Sequence, residues 1–309
     1  MTILRIGVAP EPYIDYEAAL LAAANNDTFR AATAQLFAAQ VLDLSGLTGI
    51  TFDSTDDVGG DYTIGLDTTA TYAMKLGDGF AMVGGTIKAK ANRAILADDA
   101  ISVSFTGVNW YMDAGSAGMM LFVAAGASVT IDGMVIDGDA ATSVMCAIFL
   151  YDGGMHLSNV RCTDTFAATV SLVWVYQSAL PITISGVNSY GVPLIRAQVG
   201  FTVDSLTVQG CYAANLVDKN GTITTFVGSY NVYGTTDAGT TGPGDVAGVT
   251  DFKIDWRGWP KPTSPLFRAL PAGTQYGGDL DALGNPNNKR DIGPIQNQSQ
   301  EGLSLAVMA

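Results

Sequence analysis

One histidine, three scattered cysteines and a charged fraction of only 14% leave this chain short of the side chains on which most enzymes and metal proteins depend. Cys146, Cys162 and Cys211 have none of the close pair spacing that zinc sites need. Cys146 and Cys162 could face each other on adjacent turns, but buried free thiols are the expected state. His156 falls at an alternating strand position with no nucleophile beside it. A Gly-x-Ser-x-Gly elbow is missing, and Gly77-Asp-Gly79 and Gly84-Gly85 lack the lysine and the strand-to-helix setting of phosphate loops. The sequence therefore predicts no catalytic, cofactor-binding or metal-binding residues, and no cofactor.

Basic residues are also scarce, 15 against 29 acidic ones, and the resulting charge of −14 would repel a phosphate backbone. Nucleic acid is excluded as an expected partner. No window holds about 18 uninterrupted apolar residues, so no membrane insertion is expected. The start, Met1 to Pro10, lacks the basic flank and apolar stretch of a secretory signal, which predicts a product made in the cytoplasm of its host. Asn26-Asp-Thr28 and Asn220-Gly-Thr222 match glycosylation acceptors, which carry no meaning without secretion.

What the sequence has in plenty is glycine, 36 residues, together with alternating apolar segments that repeat. Six share one pattern: Val103-Ser-Phe-Thr-Gly-Val108, Val129-Thr-Ile-Asp-Gly-Met134, Met155-His-Leu-Ser-Asn-Val160, Ile182-Thr-Ile-Ser-Gly-Val187, Phe201-Thr-Val-Asp-Ser-Leu206 and Ile223-Thr-Thr-Phe-Val-Gly228. Their starts step by 26, 26, 27, 19 and 22 residues. Alternation places one set of side chains inside and the other outside a strand. A second column runs in phase through Met119–Val123, Val144–Tyr151, Val170–Tyr176, Val192–Ile195 and Asn215–Val217. A third follows the small residue, as in Val108–Met112, Met134–Ile136 and Val187–Tyr190.

Three strands per coil at this period predict an all-β chain folded as a right-handed parallel β-helix. Gly107, Gly133, Asn159 and Gly186 recur where the chain must turn a corner, a place for residues that tolerate positive φ. A sandwich would need hairpin turns between neighbouring strands, and the turn signals here come once per coil. Residues Ile14 to Val41 carry apolar groups at helical spacing, Ala18, Leu21 and Ala22, then Phe29, Ala32, Leu36 and Ala39, interrupted near Asn25–Thr28. They predict a helical cap over the first strand edge. The expected organisation is an N-terminal segment with its capping helix over 1–48, the β-helix over 49–234, and an irregular Gly/Pro-rich extension over 235–309. Gly234 to Asp245 reads as a flexible loop, and Trp256, Trp259 and Phe267 are the expected anchors of the tail on the solenoid or on a neighbour.

Within that tail, Gly278-Asp-Leu-Asp-Ala-Leu-Gly-Asn-Pro286 followed by Arg290-Asp-Ile-Gly293 resembles the closing segment of right-handed β-helix proteins of the pectate-lyase-like superfamily. The match covers about fifteen residues, and Pro294-Ile-Gln stands where that family has an aromatic. Within the superfamily, the short coils, N-terminal helix and Gly/Pro-rich tail resemble bacteriophage spike, fibre and capsid-decoration proteins, commonly homotrimers. The resemblance implies a virion structural protein rather than an enzyme, with other virion proteins and a host surface glycan as further partners. The alternatives on the same fold are a polysaccharide lyase or glycoside hydrolase and a non-catalytic glycan-binding adhesin.

The residues add their own argument for self-assembly. The second-column runs are apolar at both parities, so some of these side chains must face outward, beyond what a soluble monomer usually shows. The expected subunit interface is Met120, Phe122, Phe149, Tyr151, Trp174, Tyr176 and Ile195. The competing reading has the chain's own C-terminal segment cover that face. Carboxylates suited to glycan chemistry are Asp132, Asp137, Asp139, Asp152, Asp164 and Asp204, with Arg161 and Arg196 as basic neighbours. Asp132 and Asp204 fall on corresponding outward positions but about three coil spacings of roughly 4.8 Å apart, too far for a retaining pair. Asp137 and Asp139 lie in a turn, where Asp has local backbone roles.

Overall fold

The computed structural model describes residues 2–6, 13, 15–31, 35–37, 41–53, 63–66, 72–89, 93–112, 117–137, 143–162, 170–253 and 263–266. Within them the chain winds into three parallel sheets of ten, nine and six strands. The strands of the first sheet are joined in chain order, with no hairpin between neighbours. This is the parallel β-helix that the repeat predicts.

The first sheet holds all six segments of the first column, as Ser102–Thr106, Ser128–Asp132, Gly154–Ser158, Ile182–Ser185, Thr202–Gln209 and Thr222–Ser229. Equivalent residues stand directly above one another: Phe29, Phe52, Met82, Phe105, Ile131, Leu157, Ile184 and Val208 form one uninterrupted inward stack. All eight are buried. The second sheet faces them with Leu42, Met74, Ile95, Leu121, Ile148, Val173, Ile195 and Val217. At the N-terminal end the interior is aromatic, with Phe29, Phe52, Phe80, Phe105 and Trp110 in a chain of centroid distances 5.1, 5.2, 5.8 and 5.3 Å. Neither face of a single coil could be buried alone, so the stack itself is the core.

The expected corner positions have the geometry their residue types suggest. Gly107, Gly133, Asn159 and Gly186 take φ of 64°, 67°, 51° and 60°, and Gly210 and Tyr230 continue the column at 60° and 53°. Each turns its N–H toward the next rung: Gly107 donates to Asp132 O at 2.8 Å, Asn159 to Ser185 O at 3.0 Å and Gly186 to Gln209 O at 3.0 Å. Tyr230, the last, donates to Pro243 O at 3.0 Å, so the loop beyond the coils supplies the rung that a further coil would have supplied.

Three features depart from expectation. Ile182 lies beside Leu206 rather than Phe201, because Thr202–Gln209 is a long strand whose second half meets the strand before it while Val203 meets Ile223 after it. The third sheet stops at Arg161–Cys162, and the segment read as a separate strand, Val187 to Tyr190, is the start of a ten-residue strand, Asn188–Ala197, in the second sheet. With one corner straightened, the later coils need fewer residues, which accounts for the shorter steps. Helix also covers less than the periodicity suggested. It spans Tyr16–Ala22, capped by the Asp15 carboxylate accepting from Ala18 N–H at 2.7 Å, and it buries Ala19 in the core. Phe29, expected on a second helical stretch, lies instead in the strand Thr28–Ala31 with its ring in the core stack, and Leu36 lies in the strand Gln35–Phe37. Ile3–Ile6 and Thr28–Ala31 already belong to the first sheet, ahead of residue 49.

The loop after Thr235 is tied down. Val246 bridges Val232 in parallel, its N–H donating to Asn231 O at 2.8 Å, and the Asp245 carboxylate accepts from the N–H groups of Asn231 and Gly242, each at 2.8 Å. A Cβ on Gly242 would collide with the Gly228 carbonyl, so glycine permits the close approach of this loop to the last strand of the first sheet. Phe252 and Leu266 close a small cluster with Tyr212 and Val232. The expected anchors Trp256, Trp259 and Phe267, and the closing segment 278–293, lie outside the described residues. No helix among the described residues is long and apolar enough to cross a membrane.

Candidate functional site

The outer face of the second sheet carries the most distinctive surface chemistry. Register stacks Leu96, Phe122, Phe149 and Trp174 on successive rungs, followed by Arg196 and Asp218. Phe122 and Phe149 are stacked at 5.3 Å and 16°, and Phe149 meets Trp174 edge-on at 5.2 Å. Trp174 donates its indole N–H to Gln198 Oε1 at 3.2 Å. One residue pair along, Tyr151, Tyr176 and Phe201 form a second row, at 5.1 and 4.0 Å.

Two of the seven expected interface residues point the other way. Met120 and Ile195 are 1% exposed and belong to the main core. Ile195 pairs with Val173 on the inward parity, and Met120 enters the core together with its neighbour Leu121, so the alternation of the run breaks there. A run apolar at both parities does not reveal which parity is which, and Met119, not singled out from the sequence, joins the outer cluster. Phe149 faces outward yet is only 8% exposed. Phe122, Trp174 and Tyr176 are half-buried, and Tyr151 is 43% exposed. Part of the outer apolar column is thus closed over within a single chain.

The carboxylates sort differently from the sequence pattern. Asp132 accepts from Ser158 Oγ at 2.6 Å and Asn159 Nδ2 at 2.8 Å, which binds it into the corner column. Its row continues through Ser158 and Ser185 to Gln209, so Asp204 does not share it. Asp204 lies instead with Asp152 on a groove of about 360 Å³ lined also by Gln177, Ser178, Phe201 and Thr202, where the second sheet turns into the first. Asp139 and Asp164 lie outside the described residues. Arg196 Nε pairs with Asp218 Oδ2 at 3.2 Å, and Arg161 stands beside Val135 in the third sheet.

The three thiols are free and buried. Burial pushes each of them up, Cys211 to about 12, so none is a nucleophile at neutral pH. Cys162 lies in the main core and Cys146 in the outer cluster, on different sheets, which removes the facing pair considered from the spacing. His156 stands exposed on an outward strand position between Thr130 and Thr183. Among the described residues no three His, Cys, Asp or Glu side chains group as metal ligands would.

Fold and surface together define a parallel β-solenoid bearing an outward aromatic strip with a polar groove at its edge. No family model, curated protein or solved structure matches the chain.

Proposed function

We propose that this solenoid is a structural part of a bacteriophage-like particle, assembling side by side with two further copies of itself through the outer face of its second sheet. The observation that carries the reading is the uncharged aromatic strip Phe122, Trp174, Tyr176 and Tyr151, which keeps partly exposed rings on a flat sheet face over successive rungs. Aromatic side chains of this size supply contact energy at low entropic cost. A closed cyclic assembly buries such a strip on every copy. The resemblance of residues 278–293 to the closing segment of pectate-lyase-like β-helices, and of the general layout to phage spikes, fibres and decoration proteins, supports the same reading. The use of Asp132 within the fold supports a structural rather than a hydrolytic role.

Sedimentation equilibrium tests it. The expected species has about three times the 32.1 kDa chain mass, and Trp174→Asp converts it to single chains. A wild-type particle that stays at the single-chain mass at high concentration overturns the assembly.

A further inference from the structure

The groove beside the strip has a composition that the assembly does not use. Among the described residues of its lining, Asp152 and Asp204 are the only charged side chains, and no described residue provides a hydrogen bond or ion pair to either. The same holds for the Gln177 amide. Elsewhere on the solenoid acids are engaged: Asp132 by Ser158 and Asn159, Asp218 by Arg196, Asp53 by Arg30, Asp27 by backbone N–H groups. The floor is fixed, because the buried Ser178 hydroxyl sits between the carbonyls of Gly153 and Leu180, at 2.8 and 2.9 Å, with its one proton shared between them, and accepts from the Leu180 N–H at 3.1 Å. One aromatic ring, Phe201, lines the groove, backed by Tyr176 at 4.0 Å.

Two carboxylates without a cation among the described residues, in a chain of net charge −14, disfavour every anionic ligand. A guanidinium satisfies both features at once, since it bonds carboxylates through its planar fork and stacks its face on an aromatic ring. An ammonium has no flat face to lay on the ring, and a quaternary ammonium has no N–H to donate to the carboxylates. The neighbouring surface already shows the combination: Arg196 is flanked on its two adjoining rungs by Trp174 and Asp218 and pairs with the latter.

We propose that this groove is a docking slot for an arginine side chain on an exposed segment of a partner protein, with Asp152 and Asp204 taking the charge and Phe201 taking the face. The slot does not depend on self-assembly, and Phe201 lies outside the proposed contact strip. Titration of the full chain with N-acetyl-arginine amide, followed by NMR, is the test, with the citrulline analogue as the uncharged twin. The expected dissociation constant is about 1 mM, weakening with salt, and the citrulline analogue binds at least roughly tenfold more weakly. Asp152→Asn with Asp204→Asn removes the preference for arginine; asparagine suits the left-handed backbone of Asp152, whose φ is 61°. Phe201→Leu weakens arginine about threefold. Equal binding of the citrulline analogue, tighter binding of a neutral hexose, the same shifts produced by calcium chloride alone, or no binding overturns the proposal. The wild-type comparison of the two ligands stands even if a variant fails to fold.

Discussion

The molecule holds two aromatic ladders built on the same rung spacing, one inside and one outside. Phe29, Phe52, Phe80, Phe105 and Trp110 climb the interior of the first coils, each ring 5.1 to 5.8 Å from the next and none more than 1% exposed. Phe122, Phe149, Trp174 and Tyr176 climb the outside of the second sheet at similar distances, 5.2 to 6.3 Å, yet all except Phe149 keep substantial exposed surface. Register aligns Phe29 with Phe52 inside and Phe122, Phe149 and Trp174 outside, while Phe80 and Trp110 join the inner chain from outside that column, on either side of the rung that Met82 holds. What differs is the alternative open to each ring. An inner ring can leave only a cavity, whereas an outer ring can be replaced by water or by another protein surface.

Mutations can break that contrast. Phe52→Ala is expected to cost about 3 to 5 kcal/mol by chemical denaturation, since the rings of Phe29 and Phe80 hold the void open on both sides. Trp174→Ala removes one edge-on ring contact and a half-exposed surface and should cost about 1.5 kcal/mol in the separated chain. If the two losses were equal, the outer ladder would be a second core rather than a contact surface. Gly107→Ala isolates the corner, for the added Cβ meets nothing within 4 Å and only the φ of 64° resists it, at about 1 kcal/mol.

Acidification sharpens the comparison between the two ends of the rod. Asp27 sits below the usual aspartate range because the N–H groups of Ala24 and Thr2 donate to its carboxylate. Its contribution is present above the ordinary aspartate pKa and is lost as pH falls through the depressed one. Hydrogen exchange of Leu4 and Ile6 should therefore accelerate at strongly acidic pH, and Asp27→Asn should remove the dependence. Asp245, in the loop at the other end, is raised by burial against the lowering pull of the Asn231 and Gly242 N–H groups. Its sign is opposite, with stability present at low pH and lost as pH rises through the raised value. The Val246 amide should thus hold or gain protection on mild acidification. A loss there in step with the N-terminal strand would refute the assignment, and the effect is the smallest of the five.

Much of this architecture is legible in the residues, and the places where it is not share a cause. The first column, its corner residues and the second column could be read because alternation and glycine spacing are local and repeat from coil to coil. Alternation says nothing about which of two apolar pairs in 201–209, Phe201 and Val203 or Leu206 and Val208, meets Ile182 and Ile184, and the structure takes the second. It is equally silent on parity in Met119–Val123, where Met120 and Leu121 both enter the core. Helical spacing around Phe29 coincides with the requirements of a buried strand, and tertiary stacking decided for the strand. The groove was the least readable feature, since Asp152 and Asp204 are separated by 52 positions and meet only once the chain is wound. Phe201 could be recognised only as a strand residue.

The Tyr230 amide, turned to Pro243 O rather than to another coil, gives the rod a built-in length. A solenoid that ended on Thr222–Ser229 alone would offer its final edge to the first strand of any other copy and could polymerise end to end. Residues 242–249 lie over Tyr230–Gly234, at the corner and the second-sheet end of the last coil, so a further copy stacking end to end would first have to displace them there.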